Sequence, residues 1–148
     1  QPAIVVIALG ANDGLRGLPL TQMRDNLAAM LDAAHAAGAR TLLIGMRLPP
    51  NYGPYAAEFE RSFADTAKLK RTPLLAFLLA PVAANPAYFL PDNLHPNAEA
   101  QPLILDNVWP ALKPLLANVL PRPSDSVQDR STAALVAARR STSPSAAT

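Results

Sequence analysis

Three short apolar runs, Ile4–Leu9, Thr41–Met46 and Leu74–Leu78, alternate with segments whose apolar residues recur at helical spacing. That alternation is the strongest constraint on the fold. A run of four to eight apolar, β-branched residues suits a strand buried between layers, and such strands pair in parallel when helices form the crossovers. The first helical segment covers about Thr21 to Ala37. Thr21 is placed to cap it, Met23, Leu27, Met30, Leu31 and Ala34 form one stripe, and Gly38 ends it. The second covers about Tyr55 to Lys70, with Tyr55, Phe59, Phe63 and Ala67 in phase. The third begins near Asn97, places Ile104, Val108 and Leu112 on one face, and is expected to kink at Pro110 and Pro114. The expected architecture is α/β, a parallel sheet with its first strand covered on both faces.

At 148 residues the chain is long enough for one core. The domain is expected to occupy residues 1–120. From Pro121 the composition turns to Pro, Ser, Thr, Ala and Arg, so residues 121–148 are expected to form a disordered tail with at most a marginal helix around Ala133 to Arg140. A net charge of +2, without a basic cluster interleaved with aromatics, argues against nucleic acid. No apolar run reaches the length of a membrane span. With no cysteine and only two histidines, thiol chemistry is excluded and a zinc site is not expected. There is no glycine-rich phosphate loop, and no cofactor is expected.

In parallel sheets ligands bind beyond the carboxyl ends of the strands. Three polar groups of residues fall there: Gly10-Ala11-Asn12-Asp13, then Arg47 with Asn51-Tyr52-Gly53, then Asp92-Asn93-Leu94-His95-Pro96. A carboxylate three residues before a histidine can fold back onto Nδ1 and leave Nε2 as a general base. The same residues also suit a plain turn, with Asn97 capping the helix that follows. An Asn amide after a strand can serve a developing oxyanion, and Gly, Asn and Asp equally suit a strand-to-helix loop. His35 reads as a packing or surface residue on a helix flank. Asp25 and Asp32 read as a solvated face.

Taken together, "LGANDGLRG", "IGMRLPPNYG" and "LHPNAEAQP" resemble the SGNH (GDSL-type) hydrolases, in particular the bacterial thioesterase I/lysophospholipase L1 and arylesterase branch. The resemblance runs from about Ala3 to Leu116. It implies a three-layer α/β/α, flavodoxin-like fold with its N-terminal strands absent, and hydrolysis of small-molecule acyl esters or thioesters through an acyl-serine. Asn12 would correspond to the oxyanion amide, His95 to the base and Asp92 to its orienting carboxylate. Gly14, Leu15 and Arg16, with Arg47, Pro49, Asn51 and Tyr52, would line the acyl cleft. An intact parent would be periplasmic or secreted.

The family's Gly-Asp-Ser nucleophile block, which precedes these motifs, is not in the chain. Two βα units, roughly 60 residues, would be missing. "PSDSVQ" around Ser126 lacks the preceding strand, and Ser62 falls within a helix. The chain is therefore expected to supply base and oxyanion donor without the nucleophile, and to be inactive alone. It is also expected to self-associate or dissolve poorly through an exposed sheet edge beside Ile4–Leu9. The alternatives are a non-catalytic remnant that binds an acyl chain or a protein partner, and an unrelated α/β domain with similar turns.

Overall fold

A computed structural model describes residues 2–117. Three parallel strands form the sheet, β1 (Ile4–Ile7), β2 (Arg40–Ile44) and β3 (Leu74–Leu75), in that spatial order. Ile4 to Ile7 pair with Arg40 to Leu43, and Leu43 and Ile44 pair with Leu74 and Leu75. β2 is thus central, and Leu42, Leu43 and Ile44 are fully buried.

Alternation along the strands turns Ile7 and Leu43 toward one face. There they meet Met23, Leu27 and Leu31 of helix α2 (Leu20–Ala36) and Phe59, Phe63 and Ala67 of helix α3 (Pro54–Lys70). Helix α4 (Gln101–Leu116) packs on β2 and β3 from the opposite face, completing the α/β/α layers. It does not cover β1. This is why Val6, expected to be buried on both sides of a parallel strand, is instead 44 % exposed.

Several boundaries differ from expectation, each for a local reason. β1 ends at Ile7, not Leu9, because Gly10 takes φ +105° and the next residues coil into a short helix, α1 (Ala11–Leu15), where a turn was expected. β3 ends at Leu75, not Leu78. Beyond it, Asn107 Nδ2 on α4 donates to the Phe77 and Leu78 carbonyls at 2.9 Å each, so those groups bond to a helix side chain. α2 starts one turn position early, behind Pro19 and without a side-chain cap, so Thr21 lies inside it. Its end is as expected: Gly38, at φ +76°, donates to the His35 carbonyl at 2.9 Å, and Ala39 to that of Ala34 at 3.0 Å. α4 runs unbroken through Pro110 and Pro114, behind a turn at Ala98–Ala100 capped by Asn97.

α1 sits tightly on the core. A Cβ on Gly14 would lie 2.5 Å from an atom of the Phe59 ring, which is fully buried and stacked edge-to-face on Phe63 at 5.2 Å. Only glycine lets this helix lie so close to α3. The expected tail from Pro121, Ser126 and the short helix at Ala133 to Arg140 all lie outside the described residues.

Candidate active site

Asp92 and His95 occupy a loop between the end of the sheet and α4. Asp92 Oδ1 accepts the backbone N–H groups of Leu94 at 2.9 Å and His95 at 3.0 Å, which folds the loop over the carboxylate. Its other oxygen, Oδ2, lies 2.7 Å from His95 Nδ1. These bonds stabilise the charged form and lower the Asp92 pKa from 3.8 to about 2, the His95 backbone N–H contributing most, then its ring N–H, then Leu94 N–H. An ionised carboxylate only accepts hydrogen bonds, so Nδ1 must carry the proton. Nε2 of the neutral ring is then left unprotonated, on a side chain that is 73 % exposed. The carboxylate thus orients the imidazole from one side and leaves its other edge open to solvent.

Asn12 is exposed on α1, just past the carboxyl end of β1. It borders a cavity of about 300 Å³ with Asp13 and Asn26 as its other polar residues. Leu9, Met23, Leu27 and Met30 supply the apolar lining. Asp92 and His95 are not among the residues that line this cavity.

The two segments read as cleft walls are joined by the Tyr52 hydroxyl, and Tyr55 adds a second tie just beyond them. Tyr52 Oη donates to the Leu15 carbonyl at 3.0 Å, and Tyr55 Oη to that of Leu18 at 2.7 Å. Burial, then the Asp13 charge, then Tyr52 push the Tyr55 phenol up, so it stays a donor. Gly14 is buried against Phe59, while Arg16 is exposed. Arg47 is engaged elsewhere: Nε donates to Glu60 Oε1 at 2.7 Å, and the guanidinium lies 5.1 Å from the Phe77 ring centroid. Pro49 and Asn51 are exposed around the single turn Pro50–Tyr52.

Sequence reasoning missed the Tyr55 hydroxyl, which reads as one more member of a helical apolar stripe, and Asn26, for which no signal exists. It also missed the linkage of His35. His35 Nε2 lies 2.8 Å from Thr41 Oγ1, which lies 3.0 Å from Thr72 Oγ1, so α2, β2 and the connection from α3 to β3 are stitched together at the amino-terminal end of β2. Ser62 is the only serine among the described residues. It is buried, and its hydroxyl donates to the Glu58 carbonyl of its own helix at 2.9 Å, so it has neither access nor a base. Among the described residues no cluster of three metal-ligating side chains occurs, and no helix is long and apolar enough to cross a membrane.

Comparison with known proteins bears on this arrangement. The chain is 49 % identical over 117 residues to esterase TesA of Pseudomonas aeruginosa, covering 78 % of the chain and 58 % of TesA. It is 40 % identical, again over 117 residues, to thioesterase 1/protease 1/lysophospholipase L1 of Escherichia coli K12, covering 56 % of that protein. A crystal structure of TesA superposes with a TM-score of 0.75, over 78 % of this chain and 64 % of the other. The chain thus spans less than two thirds of the length of each relative. The sheet and its helices are those of the SGNH hydrolases. With residues 1–102 also matching the GDSL-like lipase/acylhydrolase family, the chain belongs to that family of hydrolases.

Proposed function

We propose that this chain is the part of a serine ester hydrolase that supplies the general base and an oxyanion donor for acyl esters or thioesters. The observation that carries the reading is the Asp92–His95 pair, with a carboxylate held ionised and an exposed imidazole whose Nδ1 is already engaged. Family membership supports the reaction class, and the names of the relatives (esterase, thioesterase, lysophospholipase) support an acyl substrate that is a small molecule.

In this reading a serine from a Gly-Asp-Ser segment outside these 148 residues attacks the acyl carbonyl. His95 Nε2 takes the hydroxyl proton as the Oγ–C bond forms. The Asn12 amide donates to the oxygen that becomes negative in the tetrahedral intermediate. When that intermediate collapses, the bond to the leaving alcohol or thiol breaks, and the leaving group takes the proton from His95. Water then attacks the acyl carbonyl as the same imidazole takes its proton, and that proton passes to the serine Oγ as the Oγ–C bond breaks and the acid is released. Asp92 keeps the tautomer fixed and stabilises the imidazolium. Leu15, Arg16, Pro49, Asn51 and Tyr52 border the acyl group, and the intact protein is a periplasmic or secreted enzyme. Arg47, tied to Glu60 and Phe77, stiffens this wall.

A fluorophosphonate serine probe tests the proposal. The 148-residue chain should remain unlabelled, whereas the same chain joined to a family Gly-Asp-Ser segment should label and hydrolyse p-nitrophenyl esters. His95→Ala should abolish both, and Asn12→Ala should lower turnover by about 10²–10³. Turnover by the joined protein that survives His95→Ala would end the reading, as would strong labelling of the chain alone.

A further inference from the structure

His95 is 73 % exposed, so packing does not hold it in place. Its position must come from the backbone of its loop, and that backbone is built as a short hairpin. Phe89 and Pro96 form an antiparallel bridge, and Leu90 N–H donates to the His95 carbonyl at 2.8 Å. Asn93 closes the tip, donating to the Leu90 carbonyl at 2.9 Å from a left-handed φ of +56°. Both stems of this hairpin meet at one residue, Asn97.

Asn97 makes four hydrogen bonds. Its N–H donates to the Tyr88 carbonyl at 2.8 Å, and its Nδ2 to the Ala87 carbonyl at 2.7 Å. Oδ1 accepts from Ala100 N–H at 3.2 Å, and its carbonyl accepts from Gln101 Nε2 at 3.1 Å. The last two belong to the start of the helix, and the Oδ1 cap is one that Asp or Ser supplies equally well. The Nδ2 bond is different. It reaches across to the incoming stem, ten residues earlier in sequence. Of the usual capping residues only Asn carries its acceptor and its donor on two separate atoms, whereas Asp has no donor and Ser or Thr has a single hydroxyl on a shorter side chain. Ala87 is itself fixed, because its N–H donates to Asn85 Oδ1 at 3.0 Å.

We propose that Asn97 is a positioning residue for His95: by tying the incoming stem of the hairpin to the start of α4, its side-chain amide keeps the imidazole within reach of Asp92. The proposal rests on the reading of His95 as the base. Its test does not, because it follows the Asp92–His95 pair directly in the 148-residue chain and needs no turnover.

The discriminating variant is Asn97→Asp, which keeps the acceptor for Ala100 and loses the donor to Ala87. Asn97→Ser adds no charge and serves if the aspartate variant fails to fold: its single hydroxyl, on a shorter side chain, can cap Ala100 but does not reach Ala87 from that position. Nuclear magnetic resonance reads three things: the downfield Nδ1–H proton of His95, exchange of the Leu94 and His95 amides, and exchange of the Ala100 amide. The Nδ1–H signal should broaden or vanish, and the Leu94 and His95 amides should exchange roughly tenfold faster, as loss of one hydrogen bond implies. Ala100 should keep its protection. Adding Asp92→Asn should produce no further change at His95, since both substitutions break the same linkage.

An unchanged Nδ1–H signal and unchanged loop exchange in both variants would overturn the proposal. So would faster exchange shared equally by Ala100 and the rest of α4, because Asn97 would then be only a helix cap. Loss of the pair in these variants, alongside ester turnover that survives His95→Ala in the joined protein, would leave the tie intact and remove the esterase reading instead.

Discussion

The two oxygens of Asp92 do different work: Oδ1 holds two backbone N–H groups and shapes the loop, while Oδ2 orients the imidazole. Both tasks favour the charged carboxylate in the folded state, which is why its pKa falls to about 2. A group whose pKa is lower folded than unfolded stabilises the fold above its unfolded pKa, and that stabilisation is lost as pH falls through the folded value. The unfolding free energy of the native chain relative to Asp92→Asn should therefore be constant above about pH 4 and shrink between about pH 4 and pH 2. Urea unfolding at a series of pH values measures it. A difference that stayed flat through that interval would mean that the carboxylate is not held in its charged form. This part of the site was legible in the sequence because it is local. Asp92 and His95 are three residues apart, Pro96 restricts the backbone of His95, and Asn97 can cap, so neighbouring residues determine the geometry.

Elements far apart in sequence are joined by bonds that no local pattern reveals. Tyr52 and Tyr55 lie on either side of the Gly53–Pro54 step and donate to carbonyls 37 residues earlier, fastening α1 and its connection to α2 onto the start of α3. Helical spacing correctly put Tyr55 against the core, and the structure adds what its hydroxyl does there. Tyr55→Phe keeps the ring and removes the donor, leaving the Leu18 carbonyl without it. The expected cost is about 1 kcal/mol, read as a lower urea midpoint with an unchanged slope. The amides around Leu18 should exchange faster while those of β2 do not. Equal stability in the variant would show that water replaces the phenol without loss. The helix boundaries follow the same division. Gly38 stops α2 by its own conformation and was readable, whereas the early end of β3 depends on Asn107, about thirty residues away on α4.

Across the molecule, the order of strands and helices was legible from hydrophobic periodicity, but which strand lies at an edge was not, because that depends on what else pairs with it. Among the described residues β1 forms one edge of the sheet, with only β2 beside it. No helix among the described residues covers its second face, where Val6 is 44 % exposed, and Leu9 beyond it is 54 % exposed. An apolar groove of Val5, Ile7, Met30, Ala33 and Ala34 runs along the same edge. Unpaired backbone groups bordered by apolar side chains are a template for another strand, and in a solution of this chain alone the available strand is β1 of a second copy. The chain should therefore sediment as dimers or larger species at concentrations of tens of micromolar. Val6→Lys tests the edge itself. Val6 lies on the uncovered face, so a lysine there reaches water without disturbing the Ile7 side of the core, and two such charges would meet if β1 paired with β1. The variant should sediment as a monomer with its helical circular dichroism and urea midpoint close to those of the parent. Association that persists in a folded Val6→Lys chain would locate the contact away from β1.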